Sequence, residues 1–171
     1  MTSNPDIRLS RRTALVTGMA ALAMPARAAT AWEITWDDLI PPGVAYSQII
    51  GEGVIDDVND TWNPIFDANA TKLNEALNGA LIRMPGFIIP IDLSTEGVTS
   101  FVLVPYVGAC IHTPPPPPNQ LVFVTTEKPW RSEQLWDAVW VTGVMKTQLQ
   151  STAVAETGYA LTADSMETYT W

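Results

Sequence analysis

The stretch AVWVTGVMKT, Ala138 to Thr147, decides the fold class. Its residues alternate in character with a period of two, as in a strand with one buried face. Gly143 stands in the middle, and a glycine inside a strand pattern marks a bend or bulge. A long strand that bends belongs to a curled sheet. Working outward, Gly158 to Ala163 and Ser165 to Tyr169 read as a final short pair of strands. Upstream, Leu121 to Thr126 and Val98 to Tyr106 carry the β-branched and aromatic residues of strands. Ala80 to Met84 and Phe87 to Asp92 flank Pro85-Gly86, which reads as a turn or bulge. The spacing of Ile65, Ala68, Leu73, Ala76 and Leu77 predicts one main helix. Asn63 and Pro64 stand at its start and Asn78-Gly79 at its end. Ahead of it, Tyr46 to Asp60 reads as acidic and irregular. Ala31 to Gly43 is an extended lead-in that docks Trp32, Trp36 and Leu39. The expected fold is mainly β with one main helix (α+β), as a small OB-like antiparallel barrel or strongly curled sheet. A β-sandwich is the alternative.

Residues 1 to 28 read as an export signal. Arg8, Arg11 and Arg12 precede a short apolar run from Ala14 to Met24, and Ala26-Arg27-Ala28 is an A-x-A cleavage pattern. The paired Arg11-Arg12 suits the twin-arginine route, with the general secretory route as the alternative. No lipid-anchoring cysteine stands near the cleavage site, and no segment is long and apolar enough for a stable membrane anchor. A soluble periplasmic protein is therefore expected. It would comprise an acidic lead-in and helix over 29–79, packed as one globular unit with a β domain over 80–171. Without residues 1 to 28 the chain keeps five basic and seventeen acidic residues, a net charge of −12. That charge excludes nucleic acid as a partner and disfavours anionic lipid.

The chemically unusual residues cluster in FVLVPYVGACIHTPPPPPNQ, Phe101 to Gln120. It holds the only cysteine and the only histidine, Cys110 and His112. In an extended chain both would share one face, close enough to reach one metal ion. Two ligands do not make a site. Met84, Asp92, Glu127 and Met145 on neighbouring segments are candidate further ligands. With a methionine the set would suit copper, and with a carboxylate, zinc. The bland reading is a buried structural cysteine beside a hydrogen-bonded histidine. A thiol enzyme, Cys110 activated by His112, is a third reading. Neighbours on one strand face are poorly placed for it and no orienting carboxylate is adjacent, so no catalytic residue is assigned. Pro114 to Pro118 form a stiff polyproline II strap. It is expected to pack on aromatic residues of its own domain, with Trp130, Trp136 and Trp140 as candidates. A strap free to dock a partner is the alternative.

The run VPYVGACIHTPPPPPNQ, with Arg83 to Pro90 upstream and Trp140-Val141-Thr142-Gly143 downstream, resembles the bacterial DUF3299 family. The resemblance covers about Ala80 to Trp171 and extends to the lead-in Trp36 to Pro41. It implies an exported or lipoprotein-like protein without an assigned activity. It also implies a link to metal-related ABC-type transport, so that a transport-system component or another periplasmic protein would be the partner. The leading functional expectation is a periplasmic accessory or binding protein that handles a transition metal at Cys110 and His112. The second is a metal-free interaction module built on the proline strap and an aromatic docking surface.

Changing Arg11 and Arg12 together to Lys is expected to hold the protein in the cytoplasm, and mass spectrometry of the exported wild type to find Ala29 at its start. Normal export of the double variant would leave the general secretory route.

Overall fold

The computed structural model describes residues 30–56, 61–92, 94–108, 115–131 and 136–170. These hold eight strands: β1 (Trp32–Glu33), β2 (Ile49–Asp56), β3 (Thr61–Phe66), β4 (Leu81–Pro90), β5 (Val98–Val104), β6 (Val122–Trp130), β7 (Ala138–Ser151) and β8 (Glu156–Thr168). The only helical pieces among the described residues are single 3-10 turns at Trp36–Leu39, Glu75–Leu77 and Pro118–Gln120.

Five strands close into a barrel in the order β4-β5-β6-β8-β7, with β7 pairing back onto β4. The β6–β8 pairing is parallel, and the other four barrel pairings are antiparallel. Closure pairs every barrel strand on both sides over part of its length. The two-residue β1 adds parallel to β4 at Ile82 and Arg83. Strands β2 and β3 stand apart as a two-stranded antiparallel arm.

The barrel is filled by the alternating residues of its strands. Met84, Phe101, Leu103, Val122, Val124, Val141, Met145, Tyr159 and Leu161 are buried in one cluster. Ile34, Leu39 and Leu77 join the same cluster, so the segment ahead of the barrel contributes to its core. A second cluster of Phe87, Ile89, Val102, Val104 and Leu121 covers the outside of β4 and β5. That explains why β4 alternates over residues 81–85 and is then buried continuously over 86–89. Gly143 sits at a register shift between β7 and β8. A Cβ there would lie 2.1 Å from the Thr162 carbonyl oxygen, so only glycine lets the strands approach this closely.

The expectation of a small barrel holds, while the main helix is absent. Asn63 and Pro64 lie in β3, opposite Val54 and its neighbours. Proline pushes the residue before it toward extended geometry, and its missing N–H is tolerated in a ribbon with free outer edges. Asp67 then ends the strand by accepting hydrogen bonds from Ser47 Oγ, Gln48 N and Asn69 N. Asn74 accepts from Ala76 N and confines the helical turn to Glu75–Leu77. Asx side chains compete in this way with a continuous helix. The apolar spacing that suggested a helix instead places Leu77 as a single buried anchor. Residues 49–56, expected to be irregular, form β2. Pro85 and Gly86 stay in register with Trp140 and Val139, so β4 runs through them as one strand. Likewise 156–168 is one strand, not a short pair.

Candidate functional site

The proline strap is built into the protein. Pro115 is half-buried and Pro116, Pro117 and Pro118 are buried. Pro117, at φ −64° and ψ 158°, has polyproline II geometry. The strap lies against Gly158 of β8, where a Cβ would meet the Pro118 carbonyl oxygen at 2.8 Å and Asn119 Cα at 3.0 Å. Behind the prolines, Asn119 and Gln120 are buried and tie the strap to the segment ahead of the barrel. Asn119 N donates to Ala70 O at 3.0 Å. Its Nδ2 donates to Asn69 O at 2.9 Å and Lys72 O at 3.2 Å. Gln120 Nε2 donates to Trp36 O at 3.0 Å. Tyr159, fully buried, completes the attachment. Its hydroxyl donates to Leu39 O and accepts from Asn74 N at 2.7 Å. Burial pushes this phenol up to about 12, because the charged form loses its hydration.

A cleft of about 140 Å³ opens where the strap, the arm and the β7–β8 turn meet. Trp62 and Phe66 of β3 form one wall, Pro115, Pro116 and Pro118 another, and Val154, Ala155 and Glu156 the third. Trp62 is fixed by donating its indole N–H to Glu52 O at 2.6 Å. The strap therefore shares a cleft with Trp62 and Phe66, not with the three tryptophans expected from sequence. Trp130 and Trp136 pack beside the two core clusters. Trp140 lies under the Arg83 guanidinium, 3.8 Å from its ring centre, and edge-on to Tyr169.

The arm exposes a set of aliphatic side chains. Ile50, Val54, Ile55 and Ile65 are 68%, 67%, 67% and 55% exposed. Tyr46 is exposed at the arm's base; partial burial, and secondly the nearby Tyr106, push its phenol up. Between Ala28 and Thr71 the sequence has eight acidic residues and no Lys or Arg. Glu33 of the lead-in pairs with Arg83 of β4 at 2.9 Å, and the other seven acids have no basic residue within the stretch.

Cys110, His112 and Pro114 lie outside the described residues. Of their candidate co-ligands, Met84 and Met145 are fully buried in the barrel core. Met145 stands four positions along β7 from Val141, the register partner of Met84, which is ~13 Å of strand. Asp92 is exposed on the β4–β5 connection and closes it. It accepts from Thr99 Oγ1, Thr99 N and Ser100 N, bonds that hold its carboxyl down to about 2. Glu127 is exposed on β6. The structure thus divides the four between core and surface. No group of three or more His, Cys, Asp or Glu suited to a metal ion occurs among the described residues. No helix among them is long and apolar enough to cross a membrane. Sequence reading missed Trp62, Phe66, Tyr159 and Asn119. The one available signal was Asn63-Pro64, a pair that favours extended chain.

The family model described as "Protein of unknown function (DUF3299)" matches residues 36–168. The crystal structure of a DUF3299 family protein from Pseudomonas aeruginosa PAO1 is similar, with 32% sequence identity and a TM-score of 0.66. The match covers 83% of this chain and 98% of that one. No curated protein matches the sequence.

Replacing Pro115 to Pro118 with alternating Gly and Ser is expected to lower the unfolding free energy by ~2–4 kcal/mol, at ~0.4–1 per proline. A urea melt followed by tryptophan emission measures this. An unchanged midpoint and emission would contradict a packed strap.

Proposed function

This chain belongs to the DUF3299 family, and from that premise we propose that it is an exported, OB-like interaction module. Its barrel is a rigid scaffold, and its β2–β3 arm is the docking surface for an extended, basic and partly apolar segment of another protein. The observation that carries this reading is the arm itself, with Ile50, Val54, Ile55 and Ile65 all more than half exposed. A two-stranded ribbon is marginal in water unless something packs on it. Exposed apolar side chains in such number mark interaction sites, and here they stand on both faces of the ribbon, Ile55 on the face of its register partner Trp62 and Val54 on the other. The arm's strands have no further neighbours among the described residues, so a partner strand can add to an edge through main-chain hydrogen bonds. The charge selects the partner. Eight acids and no bases across the lead-in and arm repel acidic surfaces and raise the encounter rate with basic ones. The positions of Met84, Met145 and Asp92 favour this reading over metal handling, since all three are used by the fold.

A photo-crosslinker placed at Ile55 is expected to give a discrete adduct in cells, with crosslinked partner peptides that combine aliphatic residues with Lys or Arg. The same group at the exposed Leu149 of β7 is the control. Adding Ile50→Lys and Ile65→Lys should abolish the Ile55 adduct. Equal labelling from both positions, or none, contradicts the reading. Zinc or copper in the purified protein that Cys110→Ser and His112→Ala both remove would carry the metal-handling reading in its place.

A further inference from the structure

We propose that the cleft between the strap and the arm seats one arginine side chain of the partner's extended segment, an inference that rests on the docking reading above. Size limits the occupant first. Small-molecule and cofactor pockets run from ~300 to ~1,000 Å³, whereas this cleft holds about 140 Å³. A cleft of this size suits one long side chain better than a whole small molecule.

The lining selects its chemistry. Four prolines, Leu121, Val154 and Phe66 form side-chain walls without hydrogen-bond donors, and Asn63 is the one amide side chain in the lining. Such walls suit an aliphatic stem, which Lys and Arg bury while keeping the charged head at the water boundary. Two lining groups attract a cation: the indole of Trp62 and the exposed carboxylate of Glu156. A ring face draws a cation through its quadrupole. The described lining contains no Lys, Arg or His to compete. Arginine fits better than lysine, since a planar guanidinium stacks on an aromatic face and pairs with a carboxylate through two parallel N–H donors. The position also suits the docking reading: Trp62 and Phe66 belong to β3, so a strand laid along the arm passes the mouth of the cleft.

The test is an amide and indole NMR titration of the exported protein with acetyl-Val-Arg-Val-amide. The same peptide with citrulline, a neutral isostere of arginine, is the control. The arginine peptide is expected to shift the Trp62 indole N–H and the amides of Val154, Ala155 and Glu156, and to bind more weakly as salt rises. The citrulline peptide should bind about two- to fivefold weaker, the scale of an exposed charge pair. Glu156→Gln should remove most of that difference, and this isosteric surface change leaves the fold in place. Equal binding of the two peptides, or a preference unaffected by Glu156→Gln, overturns the seat. Shifts confined to arm amides with the cleft silent overturn the seat while the arm reading stands. A failed Ile55 crosslink beside a selective arginine-peptide response overturns the arm reading and keeps the seat.

Discussion

Six hydrogen bonds between the lead-in segment and the residues Asn119, Gln120 and Tyr159 hold the molecule in its working shape. Outside the β2–β3 ribbon, the backbone of residues 36–48 and 67–74 belongs to no strand, and buried backbone groups need partners. Three buried residues supply them here: the Gln120 side chain takes the Trp36 carbonyl, the Tyr159 hydroxyl takes Leu39 and Asn74, the Asn119 side chain takes Asn69 and Lys72, and its backbone N–H takes Ala70. At about 1 kcal/mol net each their sum is comparable with the whole stability of an ordinary domain. Leaving one buried partner unmatched costs more than the bond itself contributes, so the set behaves as a unit. The strap's position follows from it, because Asn119 and Gln120 directly succeed the prolines.

The same attachment sets where the arm can be. Strands β2 and β3 lie within the lead-in segment, between the anchor at Leu39 and the anchors at Asn69 to Asn74. Ser47 and Asp67 close the base of the arm through a 2.9 Å bond. A ribbon held at its base by buried polar contacts can expose aliphatic side chains without collapsing onto the barrel. The cleft forms at this junction, which is why its lining mixes arm, strap and β7–β8 turn. A closed barrel suits such a scaffold, since closure shortens the open edges its own strands present.

The barrel was legible in the sequence because alternation and glycine carry direct physical meaning. Val139, Val141 and Met145 point inward as their period of two requires, and Gly143 marks a place where β8 approaches β7 too closely for a side chain. The false helix had an equally clear cause. Ile65, Ala68, Leu73 and Leu77 fall near helical spacing, yet hydrophobic period says nothing about Asp67 and Asn74 capturing the backbone between them. Asn63-Pro64 was ambiguous, since the pair serves equally as a helix start and as extended chain. The internal packing of Pro115 to Pro118 followed from stiffness and an abundance of aromatic residues. Its cleft partners Trp62 and Phe66 did not, because nothing local in a sequence announces a cleft shared with residues some fifty positions away. Tyr159 was invisible for the same reason: its two partners lie 85 and 120 positions upstream. The proposed metal pair Cys110 and His112 falls outside the described residues, while its methionine co-ligand candidates serve the core.

Native-state hydrogen exchange at the Asn74 and Asn119 amides tests most directly whether strap, lead-in and barrel form one unit. Asn74 N–H donates to Tyr159 and Asn119 N–H to Ala70, so both are reporters of the attachment itself. If the hydrogen-bonded set is a single element, these amides open only with the barrel, at the same free energy as the central amides of β6 and β8. Exchange at Asn74 and Asn119 several orders of magnitude faster than in β6 and β8 would contradict the account, because the strap and the arm it positions would then open independently of the barrel.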